Sequence, residues 1–195
     1  MKKLTREDLL SLEAYAEQRQ TFRANALAHK RTRQLALGDH ATLFFEDRVT
    51  VQYQIQEMLR VERIFERAGI DEELESYNPL IPDGSNFKAT MMLEFEDPDE
   101  RQAALSKMRG IERKIWLKIG QADPVWAIAD EDLERENETK TSAVHFLRFE
   151  LPTEQREAML GGAQVGFGID HDAYRHDAFP IPEGLREALL ADLSP

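Results

Sequence analysis

Residues 48–68 form the segment that most restricts how this chain can fold. At about 100° per residue, the apolar side chains of this segment cover most of the circumference of a helix. The polar residues fall on one narrow stripe, which consists of Gln52, Gln56, Arg60, Arg63 and Arg67. A helix that is apolar nearly all round is normally buried. The pattern therefore predicts one long, buried helix at the centre of the fold.

Glutamates interrupt the apolar arc of this predicted helix. Glu57 and Glu62 project from different parts of the arc, and Glu66 follows Glu62 by one helical turn, so these last two share a face. Buried carboxylates need partners, and like charges at this spacing repel each other mildly. Two interpretations stay open. One is a structural ion pair, such as Glu57 with Arg60 or Glu62 with Arg148. The other is a carboxylate site for a metal or for acid–base chemistry.

The rest of the chain predicts about seven short strands between helices. Helices are predicted in the N-terminal segment 5–33, at 98–110, at 152–160 and in a C-terminal segment 182–193. Strands are predicted at 35–37, 41–46, 87–95, 115–119, 124–129, 143–151 and 165–169, and residues 171–181 read as irregular. The strands occur in hairpins and in strand–helix–strand units. We therefore expect an α+β fold with a mostly antiparallel sheet packed by helices, as a single domain over residues 1–195.

The composition excludes several classes of function. The chain has 195 residues, no cysteine and a formal net charge of −12. Without cysteine there is no thiolate zinc site and no cysteine-ligated iron–sulfur cluster, although a divalent metal on other ligands stays open. The negative charge argues against non-specific binding of nucleic acid. No apolar run is long enough for a membrane span, and no signal core follows the N-terminus, so we expect a cytoplasmic protein.

The histidines offer further candidate ligands. His145 lies in line with Leu147 and Phe149 on the predicted strand 143–151, so it faces an apolar layer. It is either a hydrogen-bonded core residue or a ligand directed at the long helix. His171 and His176 each precede an aspartate within residues 170–177, and borderline metals accept such mixtures of nitrogen and oxygen. A polar surface loop is the simpler interpretation of that segment.

Two glycines share one face of the predicted strand 165–169. Gly166 and Gly168 leave room for close approach of a backbone or a ligand. Packing of a helix against the sheet is the simpler explanation.

Four strings of this sequence resemble a bacterial domain family of unknown function and of about the same length. They are FFE at 44–46, QIQEMLRVERIF at 54–65, YNPLIP at 77–82 and KTSAVHFLRF at 140–149. The resemblance extends over most of the chain and implies no catalytic residues. It does imply a setting, because genes of that family often neighbour those of rubrerythrin-like proteins and heterodisulfide-reductase-like iron–sulfur proteins. That setting indicates a redox or oxidative-stress module.

Two hypotheses of function follow. The first is a cytoplasmic accessory or binding protein, a partner in a redox complex. The second is a metal-dependent enzyme with a site between the long helix and the sheet. The candidate site residues are Glu62, Glu66, His145 and Arg148, and the metal ligands would be Glu62, Glu66, His145 and His171. Arg148 or Arg60 would then bind an anionic substrate.

Overall fold

The structure is a computed structural model that describes residues 2–133, 135–137 and 139–193. Within these residues the helices are α1 (Leu12–Arg31), α2 (Arg48–Val61), α3 (Arg67–Tyr77), α4 (Pro98–Lys107), α5 (Thr153–Leu160) and α6 (Glu183–Asp192). The strands are β1 (Gln34–Leu37), β2 (Ala41–Glu46), β3 (Asn86–Leu93), β4 (Ile115–Ile119), β5 (Val125–Trp126), β6 (Ile128–Ala129), β7 (Val144–Glu150), β8 (Val165–His171) and β9 (Tyr174–Ala178). Short 3-10 helices occur at Arg6–Asp8, Asn78–Leu80 and Ile111–Arg113.

The strands form two antiparallel sheets. One sheet has the order β1-β2-β3-β7-β6 and the other has the order β5-β4-β8-β9. The predicted α+β class is confirmed, while the strand count over the described residues is nine rather than about seven. Within these residues no helix has both the length and the apolar composition that a membrane crossing requires.

The main hydrophobic core lies between the two sheets. The alternating pattern of β2 and β7 directs Phe45 and Phe149 inward. Both rings meet Phe167 of β8, with centroid separations of 4.9 Å and 5.3 Å. Leu185 and Leu189 of α6 belong to the same buried cluster. The two sheets are therefore packed face to face, and helices close the remaining sides of the core.

Residues 125–129 connect the two sheets at one side. β5 pairs with β4 in the four-stranded sheet, whereas β6 pairs with β7 in the five-stranded sheet. Between them, the Ala127 amide donates a 2.9 Å hydrogen bond to the Ile115 carbonyl. The sequence predicted a single strand here. The chain instead changes sheet, because the edges of two stacked sheets lie close enough for one short segment to pair with both.

The opposite side of the sheet pair is joined through Tyr174 of β9. Its hydroxyl donates to the Leu37 carbonyl at 2.7 Å and accepts from the amides of His40 and Ala41 at 3.0 Å and 3.2 Å. The prediction of an irregular 171–181 segment is wrong, because β9 pairs with β8 throughout its length. The strand pattern was hidden because the middle of β9 is polar and exposed.

The two glycines of β8 accommodate neighbouring side chains from β4 and from the residue after β9, and not a helix. A Cβ atom at Gly168 would collide with the Trp116 ring of β4, and one at Gly166 would collide with the Phe179 ring. The expectation of helix packing at these glycines is therefore wrong. Close contact with neighbouring side chains explains both positions.

The predicted long helix 48–68 is two helices. α2 ends at Val61, and Arg63 follows in the left-handed region with φ 56°. The Ile64 amide then bonds to the Leu59 carbonyl at 2.9 Å, which is the closing bond of a Schellman motif. Glu66 precedes the first residue of α3. The helix stops because this motif satisfies the carbonyl that the next turn would have used.

The break also changes which apolar residues are buried. Val51, Ile55 and Leu59 of α2 lie in a second buried cluster together with Leu4 and residues of α3. Val61 and Phe65, beyond or at the end of the helix, are 63% and 73% exposed. The expectation of burial nearly all round is therefore wrong: one face of α2 is buried, and that face includes Gln56 of the predicted polar stripe.

Candidate functional site

Glu62 and Glu66 do not form the predicted pair on one helical face. Both side chains are exposed, with Glu62 at the C-terminal cap of α2 and Glu66 at the N-terminal cap of α3. The turn at Arg63 separates them into two helices. The physical basis of their coupling, an uninterrupted helical turn, is absent.

Glu57 has a different environment, because it is partly buried against α1. Arg19 donates two hydrogen bonds to its carboxylate, both at 2.8 Å, and the buried Tyr15 hydroxyl donates a third at 2.5 Å. The hydrogen bonds from Arg19 lower the pKa of Glu57. Burial raises the pKa of Tyr15, and its hydrogen bond to Glu57 adds to the effect. Glu57 therefore forms a structural ion pair, and its partner is Arg19 rather than Arg60.

His145 is a buried core residue with both ring nitrogens occupied. Its Nδ1 lies 2.6 Å from Asp130 Oδ2, and its Nε2 lies 2.9 Å from Thr141 Oγ1 and 3.1 Å from the Ser142 carbonyl. Asp130 also accepts the Phe146 amide at 2.9 Å. The carboxylate, imidazole and hydroxyl stand in a row, but His145 and Thr141 are closed off from solvent. These hydrogen bonds therefore fix the position of the chain around Asp130.

His171 lies at the end of β8, where it stabilises the hairpin. Its Nε2 is 3.0 Å from the Arg109 carbonyl, and its Nδ1 accepts the Ala173 amide at 3.1 Å. Among residues 2–133, 135–137 and 139–193, no group of three or more His, Asp or Glu side chains is arranged to hold a metal ion. The predicted ligands Glu62, Glu66, His145 and His171 are thus not brought together.

Arg148 is the predicted site residue that lies in a cleft. β3 and β7 are antiparallel, with Lys88 directly opposite Arg148. Since alternate residues of a strand share a face, Phe146 lies beside Arg148 on the side away from the core. This pairing places two cations and an aromatic ring together on the outer face of the five-stranded sheet.

A cleft of about 480 Å³ lies over this part of the sheet. One wall is the end of α3 and the following 3-10 helix, and the other wall is the segment after Asp130. We call it the sheet cleft. Its lining includes Ser76, Tyr77, Pro79, Leu80, Lys88, Glu131, Asp132, Arg135, Phe146 and Arg148. The cleft therefore has one largely apolar wall, formed by Tyr77, Pro79 and Leu80, and one charged wall, formed by Glu131, Asp132 and Arg135.

Carboxylates neutralise both arginines of the sheet cleft. Arg148 binds Glu131 through two hydrogen bonds of 2.7 Å and 2.8 Å, and it binds Glu150 through a third of 2.6 Å. These hydrogen bonds raise the pKa of Arg148. Arg135 binds Asp132 with two bonds of 2.5 Å and 2.6 Å, and its guanidinium lies 4.6 Å from the centre of the Phe146 ring.

Lys88 is the cation of the cleft that makes no direct ion pair, although the charges of Glu131, Asp83 and Glu150 act on it and partly offset the lowering of its pKa. It is half-buried, and no described residue forms a hydrogen bond or an ion pair with its ammonium group. Burial lowers the pKa of Lys88, and the positive charge of Arg148 lowers it further. An anionic group in the cleft would relieve both effects. The arrangement can therefore hold a ligand with one negative group and an apolar body.

Sequence reasoning missed Lys88 because its environment is made by distant segments. The sequence placed it on the polar face of the strand 87–95, where a lysine is unremarkable. Its pairing with Arg148 depends on which strands are neighbours, and the cleft depends on where residues 76–80 pack. A lysine and an arginine on the outer faces of two strands were the only signal available.

The fold and the cleft together define a class of protein: an α+β protein with two stacked antiparallel sheets and an amphipathic cleft on the outside of one of them. The chain belongs to the family described as Protein of unknown function (DUF3501), which matches residues 3–193. This result confirms that the resemblance seen in the sequence is to a family of unknown function.

A solved structure has the same fold. It is the crystal structure of a novel protein of unknown function from Burkholderia pseudomallei K96243, which is 47% identical to this chain. The similarity covers 99% of this chain and 100% of that chain, with a TM-score of 0.93. A comparison with curated proteins found no match.

Proposed function

We propose that this chain is an accessory binding protein that holds a small amphipathic anion in the sheet cleft. The observation that carries the proposal is Lys88, a half-buried ammonium group that makes no direct hydrogen bond or ion pair among the described residues and lies in a cleft with apolar side chains. A carboxylate is the simplest group that would pair with it. Tyr77, Leu80 and Phe146 would contact the apolar part of the ligand.

Binding of hexanoate tests this proposal, with the neutral isostere hexanamide as the matched ligand. NMR titration of the wild-type protein should give saturable shifts in residues 76–80 and 146–148 with hexanoate. Hexanamide should bind at least tenfold more weakly, a difference of about 1.4 kcal/mol. The variant Lys88→Gln should lose the preference for hexanoate.

Lys118→Gln is the control variant, because Lys118 lies on β4 of the other sheet. It should bind hexanoate as the wild-type protein does. Equal binding of hexanoate and hexanamide, or an unchanged preference in Lys88→Gln, would contradict the proposal.

An association with a redox or oxidative-stress module is the second part of the proposal, and it rests on the family resemblance. The exposed Val61 and Phe65 offer an apolar surface for a protein partner. Because this chain has no cysteine, any cysteine-ligated cluster would belong to the partner. Pull-down from native lysate should recover a redox protein with the wild-type chain and less of it with Phe65→Ser. Recovery of the chain alone would count against this part.

A metal-dependent enzyme was the alternative hypothesis from the sequence. No geometry among the described residues favours it, since Glu62 and Glu66 are exposed while His145 is buried with its own partners. Elemental analysis of protein purified without chelator remains its direct test. A stoichiometric amount of bound metal would support the hypothesis of a metal-dependent enzyme.

A further inference from the structure

The exposed side of α1 carries a groove that the proposed function does not use. Helix α1 has 20 residues, of which Tyr15 and Ala26 are buried, so most of its surface faces solvent. A groove of about 750 Å³ runs along this surface from Ala16 to Arg31, with Arg60 of α2 at its side. At a rise of about 1.5 Å per residue, the groove is about 22 Å long. We call it the α1 groove.

The α1 groove is basic, although the chain as a whole is acidic. Asp and Glu outnumber Lys and Arg by 37 to 25 in the sequence. No carboxylate of a described residue lines the groove, whereas four arginines do, namely Arg19, Arg23, Arg31 and Arg60. Charges separated by more than about 8 Å are largely screened at physiological ionic strength. An anion in the groove would therefore respond to these arginines rather than to the distant carboxylates.

Three of the four arginines have no partner within the described part of the chain. Arg19 is bound to Glu57 at 2.8 Å. The guanidinium groups of Arg23, Arg31 and Arg60 are exposed and form no hydrogen bond or ion pair with a described residue. The positions three and four residues from Arg23 and Arg31 hold no carboxylate, so pairing along α1 is not available either. Each of these planar groups can therefore bind a carboxylate from outside.

Small and apolar side chains lie between the arginines. Ala16, Ala24 and Ala28 line the groove together with Leu27, which is 37% exposed. Small side chains allow another helix to approach α1 closely, and Leu27 offers it an apolar contact. An extended strand would gain no backbone hydrogen bonds here, because the backbone groups of α1 bond within the helix. The shape of the groove therefore suits a helix.

We propose that the α1 groove docks an acidic, amphipathic helix of a partner protein. Carboxylates of that helix bind Arg23, Arg31 and Arg60, and its apolar stripe contacts Leu27. Arg23 and Arg31 are eight residues apart in the sequence, which is about 12 Å along the axis of α1. One compact anion such as phosphate does not reach both, whereas carboxylates about two turns apart on a helix do.

Other occupants fit the α1 groove less well. The same helix of a second copy would place its own arginines against Arg23 and Arg31. A nucleic acid would extend beyond the groove onto the surface of a protein whose net charge is −12. An acidic helix carries its negative charge only where the arginines lie.

This surface goes beyond the proposed function and does not depend on it. The α1 groove and the sheet cleft share no lining residue, and Phe65 does not line the groove. Anion binding at Lys88 and association through Phe65 can both fail while the groove still binds its helix. The proposals are therefore tested separately.

Fluorescence anisotropy with a labelled model helix tests the proposal. The probe is a peptide of about 18 residues, or five turns, with leucine at every third or fourth position and glutamates on either side. The matched peptide has glutamine in place of each glutamate. At about 0.15 M salt, the wild-type protein should bind the acidic peptide at least tenfold more tightly than the glutamine peptide.

Variants of the groove separate its charged and apolar contributions. Arg23→Gln combined with Arg31→Gln should weaken binding of the acidic peptide at least tenfold. Leu27→Ser should weaken it at least threefold, which attraction between charges alone does not predict. Arg101→Gln is the matched control, because Arg101 is an exposed arginine of α4 outside the groove, and it should bind as the wild type does.

Four results would overturn the proposal: equal binding of the two peptides, unchanged binding in the double arginine variant, unchanged binding in Leu27→Ser, or tighter binding of a single-stranded oligonucleotide than of the acidic peptide. Dimerisation of the wild-type protein that the double variant abolishes would also overturn it, because a second copy would then occupy the groove. If a variant does not fold, NMR titration of the wild-type protein provides the readout. Amide resonances of residues 16–31 must then shift with the acidic peptide and not with the glutamine peptide, and shifts confined to other segments would refute the site.

Discussion

At the scale of single residues, Glu57 and Glu62 show how neighbouring positions of one sequence pattern come to differ. Both interrupt the same apolar arc in the sequence. In the structure Glu57 meets Arg19 and Tyr15 of α1, whereas Glu62 is an exposed cap residue. The sequence indicated that a partner was needed but not which of the two would have one, because the partner comes from a helix 38 residues away.

We expect Glu57→Ala to lower the free energy of unfolding by about 1.5–3 kcal/mol, the usual range for hydrogen bonds to a charged group. The buried Tyr15 hydroxyl and the Arg19 guanidinium would lose their acceptor at the same time. Glu62→Ala is the matched control and should change stability by less than about 0.5 kcal/mol. Urea unfolding of both variants measures this, and similar losses would contradict the assignment.

The Glu57 contribution should also depend on pH. Because its hydrogen bonds with Arg19 lower the pKa in the folded state below the ordinary value of 4.5, the folded state holds its carboxylate ionised more firmly than the unfolded state does. The contribution is therefore present above about pH 4.5 and is lost as the pH falls through the folded-state pKa. The stability difference between wild type and Glu57→Gln should shrink over that acidic range. A difference that grows on acidification would show the opposite shift.

At the scale of elements, local signals located most helices and strands. The hairpin of β1 and β2, the start of α4 after Asp97 and the C-terminal helix all follow from caps, turns and alternation within a few residues. The break after α2 gave no such signal, because an arginine occupies a position where glycine would be the usual marker. β9 was missed because an exposed edge strand does not alternate.

Two non-glycine residues in the described part of the chain have left-handed backbone, and substitution by glycine should change stability in opposite directions at the two positions. Arg63→Gly should stabilise the protein by roughly 0.5–1 kcal/mol, since the steric cost that glycine removes, about 1–2 kcal/mol, exceeds the extra entropy that glycine loses on folding. Asp130→Gly relieves the same strain but removes the partner of His145 and Phe146. We expect it to destabilise by at least about 2 kcal/mol. Thermal and urea unfolding distinguish them, and two changes of the same sign would contradict this explanation.

The candidate site was predictable only in part for a related reason. Arg148 was identified from the sequence, but as the partner of a glutamate in the long helix, whereas its carboxylate partners are Glu131 and Glu150. Lys88 acquires its significance from burial, which depends on how distant segments pack. Side-chain type and spacing do not encode that burial.

At the scale of the whole molecule, residues 125–129 make the two sheets depend on each other. The Ala127 amide bonds to β4 while β6 continues into the other sheet. Ala127→Pro would remove that amide and strain the crossing. Hydrogen exchange should then accelerate in the central strands of both sheets together. Faster exchange in the four-stranded sheet alone would show that the sheets open separately.

The joined sides of the sheet pair have a further consequence for self-association. A sheet edge with free backbone groups is a template for pairing with another chain. Of the four edge strands, β5 and β6 have two residues each, β1 has four, and β9 carries the charged residues Arg175 and Asp177. Short or charged edges are poor templates for β-aggregation. The same crossing that couples the sheets thus leaves little backbone for intermolecular strand addition.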